Sequence, residues 1–156
     1  MGVVGAGKTT VGHVVAARLG VPFLDADDYH SPEAIALMRA GRPLDDAQRA
    51  PWLQRVVDAA LSLPSHGFVL ACSALKRSYR DVLRSGIPEL VFVCLDVDQE
   101  VVAQRLGRRS GHFAGAQLAP TQFATLEPGD DIVSVSGVGT PDDVASRVLA
   151  VLGRAP

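Results

Sequence analysis

Cysteine is nearly absent from this chain: Cys72 and Cys94 are the two in 156 residues, and no CxxC spacing relates them. That excludes a disulfide framework and a cysteine-based metal centre. Each lies inside an apolar run, Phe68 to Cys72 and Leu90 to Leu95, where a reduced thiol packs as a small hydrophobe. An excess of one charge is also lacking, since 15 Lys and Arg face 17 Asp and Glu for a formal net charge of -2. Nothing in that balance attracts nucleic acid or an anionic membrane, so any phosphate must be held by a local cluster. No apolar run approaches the roughly 20 residues of a membrane span, and no basic-then-apolar leader opens the sequence. The cytoplasm is the expected location. There is no internal repeat and no low-complexity tract. With 47% hydrophobic and 21% charged residues, the composition is that of one folded domain over residues 1–156.

What is present begins at once. Gly2-Val3-Val4-Gly5-Ala6-Gly7-Lys8-Thr9 fits the phosphate-loop pattern G-x-x-x-x-G-K-[ST] at every defined position. Gly2, Gly5 and Gly7 give a loop whose N–H groups can turn inward around a polyphosphate, with Ala6 between them. Lys8 reaches the outer phosphates, Thr9 offers its hydroxyl to the magnesium that bridges them, and Thr10 continues the helix whose positive end faces the anion. Val11, Val14, Val15 and Leu19 follow at helical spacing, and Gly20 stands at the stop. ATP and magnesium are the expected ligands. One part is missing: a buried strand belongs ahead of Gly2, and only Met1 is there. The expectation is a truncated first strand, with the natural start of the chain upstream of Met1.

Strand and helix patterns then alternate. Val21 to Asp25 reads as a short buried strand ending at Asp25, Asp27 and Asp28; Phe68 to Cys72, Leu90 to Leu95 and Ile132 to Val135 read as three more. Ser31-Pro32-Glu33 opens a helix by the cap-then-proline rule, and Asp45 caps the next, which carries Trp52, Val56, Val57, Ala60 and Leu63 and closes at Pro64 to Gly67. Lys76 to Arg84, the helix after Asp98, and the helix opened by Thr140 complete the set. Between Gly107 and Gly129 the pattern weakens into a polar segment with Arg108, Arg109, His112 and Phe113, which reads as a mobile lid over a site. The fold class is α/β: a three-layer arrangement with a parallel sheet covered by helices on both faces and a short lid.

Phosphoryl transfer needs a metal, positive charge on the migrating group and an acceptor for the alcohol's proton. Asp25 and Asp27 lie at i, i+2 where a strand ends, so one can serve the metal shell and the other the acceptor hydroxyl. Arg105 and Arg109 lie at i, i+4 and run into the lid, where they can close over the γ-phosphate.

Asp25-Ala26-Asp27-Asp28-Tyr29-His30, Gly41-Arg42-Pro43-Leu44-Asp45, Arg49-Ala50-Pro51-Trp52-Leu53, the run from Cys72 to Asp81, Gly111-His112-Phe113 and Gln122 to Pro128 resemble the gluconokinase family in order and spacing, over nearly the whole chain. The resemblance implies transfer of the ATP γ-phosphate to the 6-hydroxyl of D-gluconate, with magnesium and as a homodimer. It places Gly5, Gly7, Lys8 and Thr9 on ATP and metal, and Asp27 on the sugar hydroxyl. His30, Arg49, Lys76 and Arg80 become the candidates for the sugar acid's carboxylate and hydroxyls, Arg80 ranking last because it can instead pair with a neighbouring carboxylate. The sequence departs from the family's usual residues at Val4 and Ala6 (serines), Ser31 (proline), Ala34 (asparagine), and Leu37 and Ser110 (lysines). No acid closes the strand at Cys72, which leaves Asp25 as the substitute metal carboxylate.

Overall fold

The computed structural model describes residues 1–63, 67–107 and 113–153. Four parallel strands, β1 (Phe23–Asp25), β2 (Val69–Ala71), β3 (Phe92–Asp96) and β4 (Ile132–Ser136), alternate with helices α1 (Lys8–Leu19), α2 (Pro32–Arg39), α3 (Asp46–Leu61), α4 (Arg77–Gly86), α5 (Gln99–Gly107), α6 (Phe113–Thr125) and α7 (Pro141–Val151). A single 3-10 turn, Ala26–Tyr29, links β1 to α2. β1 pairs with β2 from Phe23↔Val69 to Asp25↔Ala71, and β3 pairs with β4 from Phe92↔Ile132 to Asp96↔Ser136.

The two pairs are joined through the first two residues. The Met1 amino group donates to the Val93 carbonyl, the Leu95 N–H donates to the Met1 carbonyl at 2.9 Å, and the Gly2 N–H donates to the Ser73 carbonyl at 3.3 Å. Met1 and Gly2 therefore stand where a central strand would end. Beside them, between β2 and β3, lies a groove of about 460 Å³ lined by Val11, Val15, Leu70, Phe92 and Val148. Burial there pushes the Met1 amine down to about 6, and burial pushes the Cys72 thiol up to about 11, so this cysteine is an inert packing group.

Two apolar clusters pack around the strands. In one, Val11 and Val15 of α1 meet Leu95, Val102, Leu106, Val135, Val144 and Leu149; in the other, Trp52, Val56 and Val57 of α3 meet Tyr79, Leu83 and Phe92. The predicted caps hold. The Ser31 hydroxyl accepts from the Ala34 N–H at 3.2 Å, and Asp45 forms a reciprocal box with Gln48 that satisfies donors at the start of α3.

The segment expected to be a polar lid is corrected in part. Residues 113–125 form helix α6, with Leu118 and Ala119 buried against the body of the protein. Gly115, Pro120, Thr121 and Gln122 dilute the apolar pattern, which is why it reads as a loop. Arg108, Arg109, Ser110 and His112 lie outside the described residues, as does Pro64.

Arg80 is the second correction. Its side chain is 0% exposed and contributes nothing to the acceptor cleft. Nε and Nη2 donate to the two oxygens of Asp131 at 2.6 and 3.1 Å, while Nη1 donates to the carbonyls of Ala74 and Leu75 at 3.2 and 3.1 Å. Those carbonyls belong to the turn after β2, where Ala74 adopts φ +44°, a left-handed conformation costly for a non-glycine residue. Arg80 thus fixes the strained turn that delivers Ser73, Leu75 and Lys76 to the cleft.

Candidate active site

α1 begins directly after the glycine-rich loop, with Gly7 as its cap in the left-handed region at φ +98°. Gly5, at φ +78°, has no room for a side chain either: a Cβ there would stand 3.1 Å from Val102 Cγ1 and 3.2 Å from Leu106 Cγ. Among the described residues the amides of Gly5, Gly7, Lys8 and Thr9 have no protein acceptor. They form an open set of donors at a helix N-terminus, the arrangement that receives phosphate oxygens. Lys8 Nζ donates to the Val3 carbonyl at 3.0 Å, curled against its own loop; burial pulls its pKa down, opposed by the charge of Asp27.

This loop forms one wall of a cleft of about 770 Å³, a volume suited to small-molecule ligands. Gly5, Gly7, Lys8, Thr9 and Thr10 line it; Gly2 and Ala6 do not, and serve the bend behind it. Thr9 Oγ1 donates to Asp25 Oδ2 at 2.7 Å, bringing together the two groups expected at a metal. Among the described residues no cluster of three or more His, Cys, Asp or Glu offers a preformed metal cage.

Asp27 faces the loop from the 3-10 turn. Two residues of α3 one turn apart hold that turn: Trp52 Nε1 donates to the Ala26 carbonyl at 2.7 Å, and Arg55 Nε donates to the Tyr29 carbonyl at 2.8 Å. Asp25 Oδ1 accepts from the Asp27 N–H at 3.1 Å. The carboxylate of Asp27 remains largely open to the cleft, but the surrounding walls remove enough water to push its pKa up, with Lys8 pulling the other way. That direction makes it a better proton acceptor than a free aspartate. His30 is stacked on Trp52, ring centroids 4.5 Å apart and planes 9° from parallel, with Nε2 3.8 Å from Asp27 Oδ1. Burial, aided by Arg49 and Arg55, pushes it down to about 4, so it is neutral at physiological pH. Its Nδ1 is buried with no hydrogen-bond partner among the described residues.

The far wall carries the cations. Arg49, one turn before Trp52 on α3, donates through Nε to the Leu44 carbonyl at 3.2 Å and lies 5.5 Å from the Tyr79 ring centroid, and among the described residues its remaining donors have no partner. Lys76 lies over the same ring and is bound to Asp46 at 2.8 and 2.9 Å; Tyr79 also donates to Asp46. Arg105 does not project into the cleft. Its Nη1 donates to the Ala6 carbonyl at 3.1 Å and its Nη2 to the Gly137 carbonyl at 2.8 Å, so it braces the phosphate loop from behind; Arg109 lies outside the described residues.

Sequence reasoning missed Asp46, Tyr79, Thr121, Gln122 and Thr125 as cleft residues. Tyr79, Gln122 and Thr125 stand in stretches that carry the family resemblance, but nothing local shows that Tyr79 and Asp46, 33 residues apart, share a hydrogen bond.

Comparison with known proteins agrees with this geometry. A family model described as shikimate kinase matches residues 4–121. A gluconokinase of Gluconobacter oxydans (strain 621H) is 47% identical over 154 residues, covering 96% of this chain and 86% of the relative. The chain belongs to the gluconokinase family. The crystal structure of a gluconokinase from Sinorhizobium meliloti 1021 is similar at 40% identity and a TM-score of 0.87, covering 98% of this chain and 89% of that one. Shikimate kinase from Aquifex aeolicus vf5 shares the fold alone, at 19% identity and a TM-score of 0.63 over 98% and 93% of the two chains. The gluconokinase resemblance thus extends from sequence to three-dimensional structure, within the wider phosphate-loop kinase fold.

Proposed function

We propose that this protein transfers the γ-phosphoryl group of ATP to the 6-hydroxyl of D-gluconate, releasing ADP and 6-phospho-D-gluconate. The observation that carries this reading is one cleft with free loop amides and Lys8 on one wall and Asp27 on the opposite one. The triphosphate binds along Gly5 to Thr9. The gluconate hydroxyl oxygen attacks the γ-phosphorus, the bond to the ADP oxygen breaks, and the hydroxyl proton passes to Asp27. Magnesium fits beside the Thr9 hydroxyl and Asp25, where it would neutralise phosphate charge. Arg49 is the cation for the sugar acid's carboxylate, with Lys76 beside it, and His30 contributes a neutral ring nitrogen for a hydroxyl. A homodimer, as the family resemblance implies, belongs to the same reading.

An ADP-release assay with ATP, magnesium and a panel of hydroxy acids tests it. Gluconate is expected to be turned over with the highest kcat/KM; faster turnover of shikimate would reassign the acceptor. ATP binding without acceptor-dependent ADP release would remove the activity altogether. Arg49→Ala is expected to raise the KM for gluconate by about 10- to 100-fold, the loss of one charge-assisted hydrogen bond, with the KM for ATP unchanged. Equal changes in both constants would take Arg49 off the carboxylate.

A further inference from the structure

The amide of Val4 differs from those of Gly5, Gly7, Lys8 and Thr9 in the same loop. It is already engaged: the Val4 N–H donates to Gln122 Oε1 at 2.7 Å, across 118 residues of sequence. Gln122 sits on α6, which also supplies Leu118, Thr121 and Thr125 to the cleft. The chain leaving α6 is tied to the opposite wall. The Glu127 N–H donates to the Leu75 carbonyl at 2.9 Å, and Glu127 Oε2 accepts from the Arg77 N–H at 2.7 Å, so the two bonds bracket Lys76. The six residues from Gln122 to Glu127 thus connect the phosphate loop to the backbone that carries a cleft cation.

We infer that Gln122 is a positioning residue for the nucleotide: its side-chain carbonyl holds the Val4 amide so that the loop's remaining donors are ordered before the triphosphate arrives. The inference rests on the kinase reading but concerns only the nucleotide half of the site. A glutamine suits the task because its carbonyl accepts the amide without bringing negative charge to a loop that must receive an anion. Without that bond the loop has to be ordered on binding, and the cost falls on nucleotide affinity rather than on the acceptor.

The test compares Gln122→Met, similar in length but without the acceptor, with Gln122→Glu, which keeps an acceptor and adds a charge. The readouts are the Kd for a fluorescent ATP analogue, the KM for gluconate and the melting temperature. For Gln122→Met the Kd is expected to rise about 3- to 10-fold, the range for one lost hydrogen bond, with gluconate KM within about twofold and no dependence on salt. For Gln122→Glu the Kd is expected to rise at about 50 mM salt and to fall back to within about twofold of wild type at about 0.5 M, where the added charge is screened. Unchanged nucleotide affinity in the Met variant, a parallel shift in both substrates, or a Glu penalty indifferent to salt would each overturn the inference. Should the Met variant fail to fold, the salt dependence of the Glu variant decides alone. A wild-type protein that binds nucleotide but does not turn over gluconate would sink the acceptor assignment and leave this inference to be judged on the nucleotide affinities.

Discussion

Asp27→Asn is expected to lower kcat by about 10²- to 10⁴-fold, the range for loss of a positioned general base, while the KM values for ATP and gluconate stay within about threefold. The substitution is nearly isosteric and the backbone that places it is held independently. Trp52 and Arg55 grip the carbonyls of Ala26 and Tyr29, and Asp25 accepts the residue-27 amide whatever side chain follows. What is lost is the ability to take the hydroxyl proton as the new phosphorus–oxygen bond forms. Asp27 also stands close enough to Lys8 to oppose the fall in that lysine's pKa, so its removal makes Lys8 easier to deprotonate. The activity of the wild-type enzyme should therefore rise with pH through the ionisation of Asp27, displaced upward from an ordinary aspartate by burial, and this acid limb should be missing from the residual activity of the variant. Steady-state kinetics across pH 4 to 9 provides the check. A variant that retains wild-type turnover, or whose acid limb is unchanged, would free Asp27 from the proton-transfer role.

The second large effect is on stability. Arg80→Met is expected to destabilise the fold by about 3–5 kcal/mol, because it removes both guanidinium hydrogen bonds from the buried Asp131 carboxylate and leaves it only the looser contact with Arg84 at 3.8 Å. The side chain of Asp131 is 5% exposed, and its pKa is held below the usual carboxylate range first by the hydrogen bond from Arg80. The same substitution strips a donor from the carbonyls of Ala74 and Leu75, whose turn already contains a left-handed alanine. A domain of this kind has only about 5–15 kcal/mol in total, so the urea midpoint should fall sharply. The pH dependence has a definite sign. A carboxyl with a depressed folded-state pKa contributes stability that is fully present above its unfolded value, near 3.9, and is lost as pH falls through the lower folded value. The deficit of the variant should accordingly be full at pH 7 and shrink below about pH 4, as Asp131 protonates. Restoring part of the midpoint with the double change Arg80→Met and Asp131→Leu would confirm the pairing. A midpoint unaffected by Arg80→Met, or a deficit independent of pH, would contradict it.

These two residues mark what the sequence makes legible. Asp27 lies in a local pattern: a short apolar strand, acids at its end, and a phosphate loop whose glycine spacing has one mechanical reading. The caps at Ser31, Asp45 and Thr140 are legible for the same reason, since donor and acceptor lie three residues apart. Arg80 shows the limit. On its own helix it shares a polar face with Lys76 and Arg84, and only the 51-residue pairing with Asp131 makes it a framework group rather than a ligand. Gln122 and Tyr79 were hidden likewise by partners 118 and 33 residues away. Helix α6 was obscured locally, by Gly115 and Pro120 within its own sequence. Arg105 lies against the phosphate loop but spends its donors on the Ala6 and Gly137 carbonyls, because helical spacing sets the face and not where the guanidinium ends.

The account depends on an alcohol being presented by Asp27 to a triphosphate gripped by the loop. A crystal structure with a non-hydrolysable ATP analogue, magnesium and gluconate tests that directly. The predicted result has phosphate oxygens on the amides of Gly5 to Thr9, the gluconate carboxylate at Arg49, and the 6-hydroxyl within about 2.6–3.2 Å of the Asp27 carboxylate. Gluconate bound with its carboxylate toward Lys8, or Asp27 turned out of the cleft with no hydroxyl in reach, would contradict it.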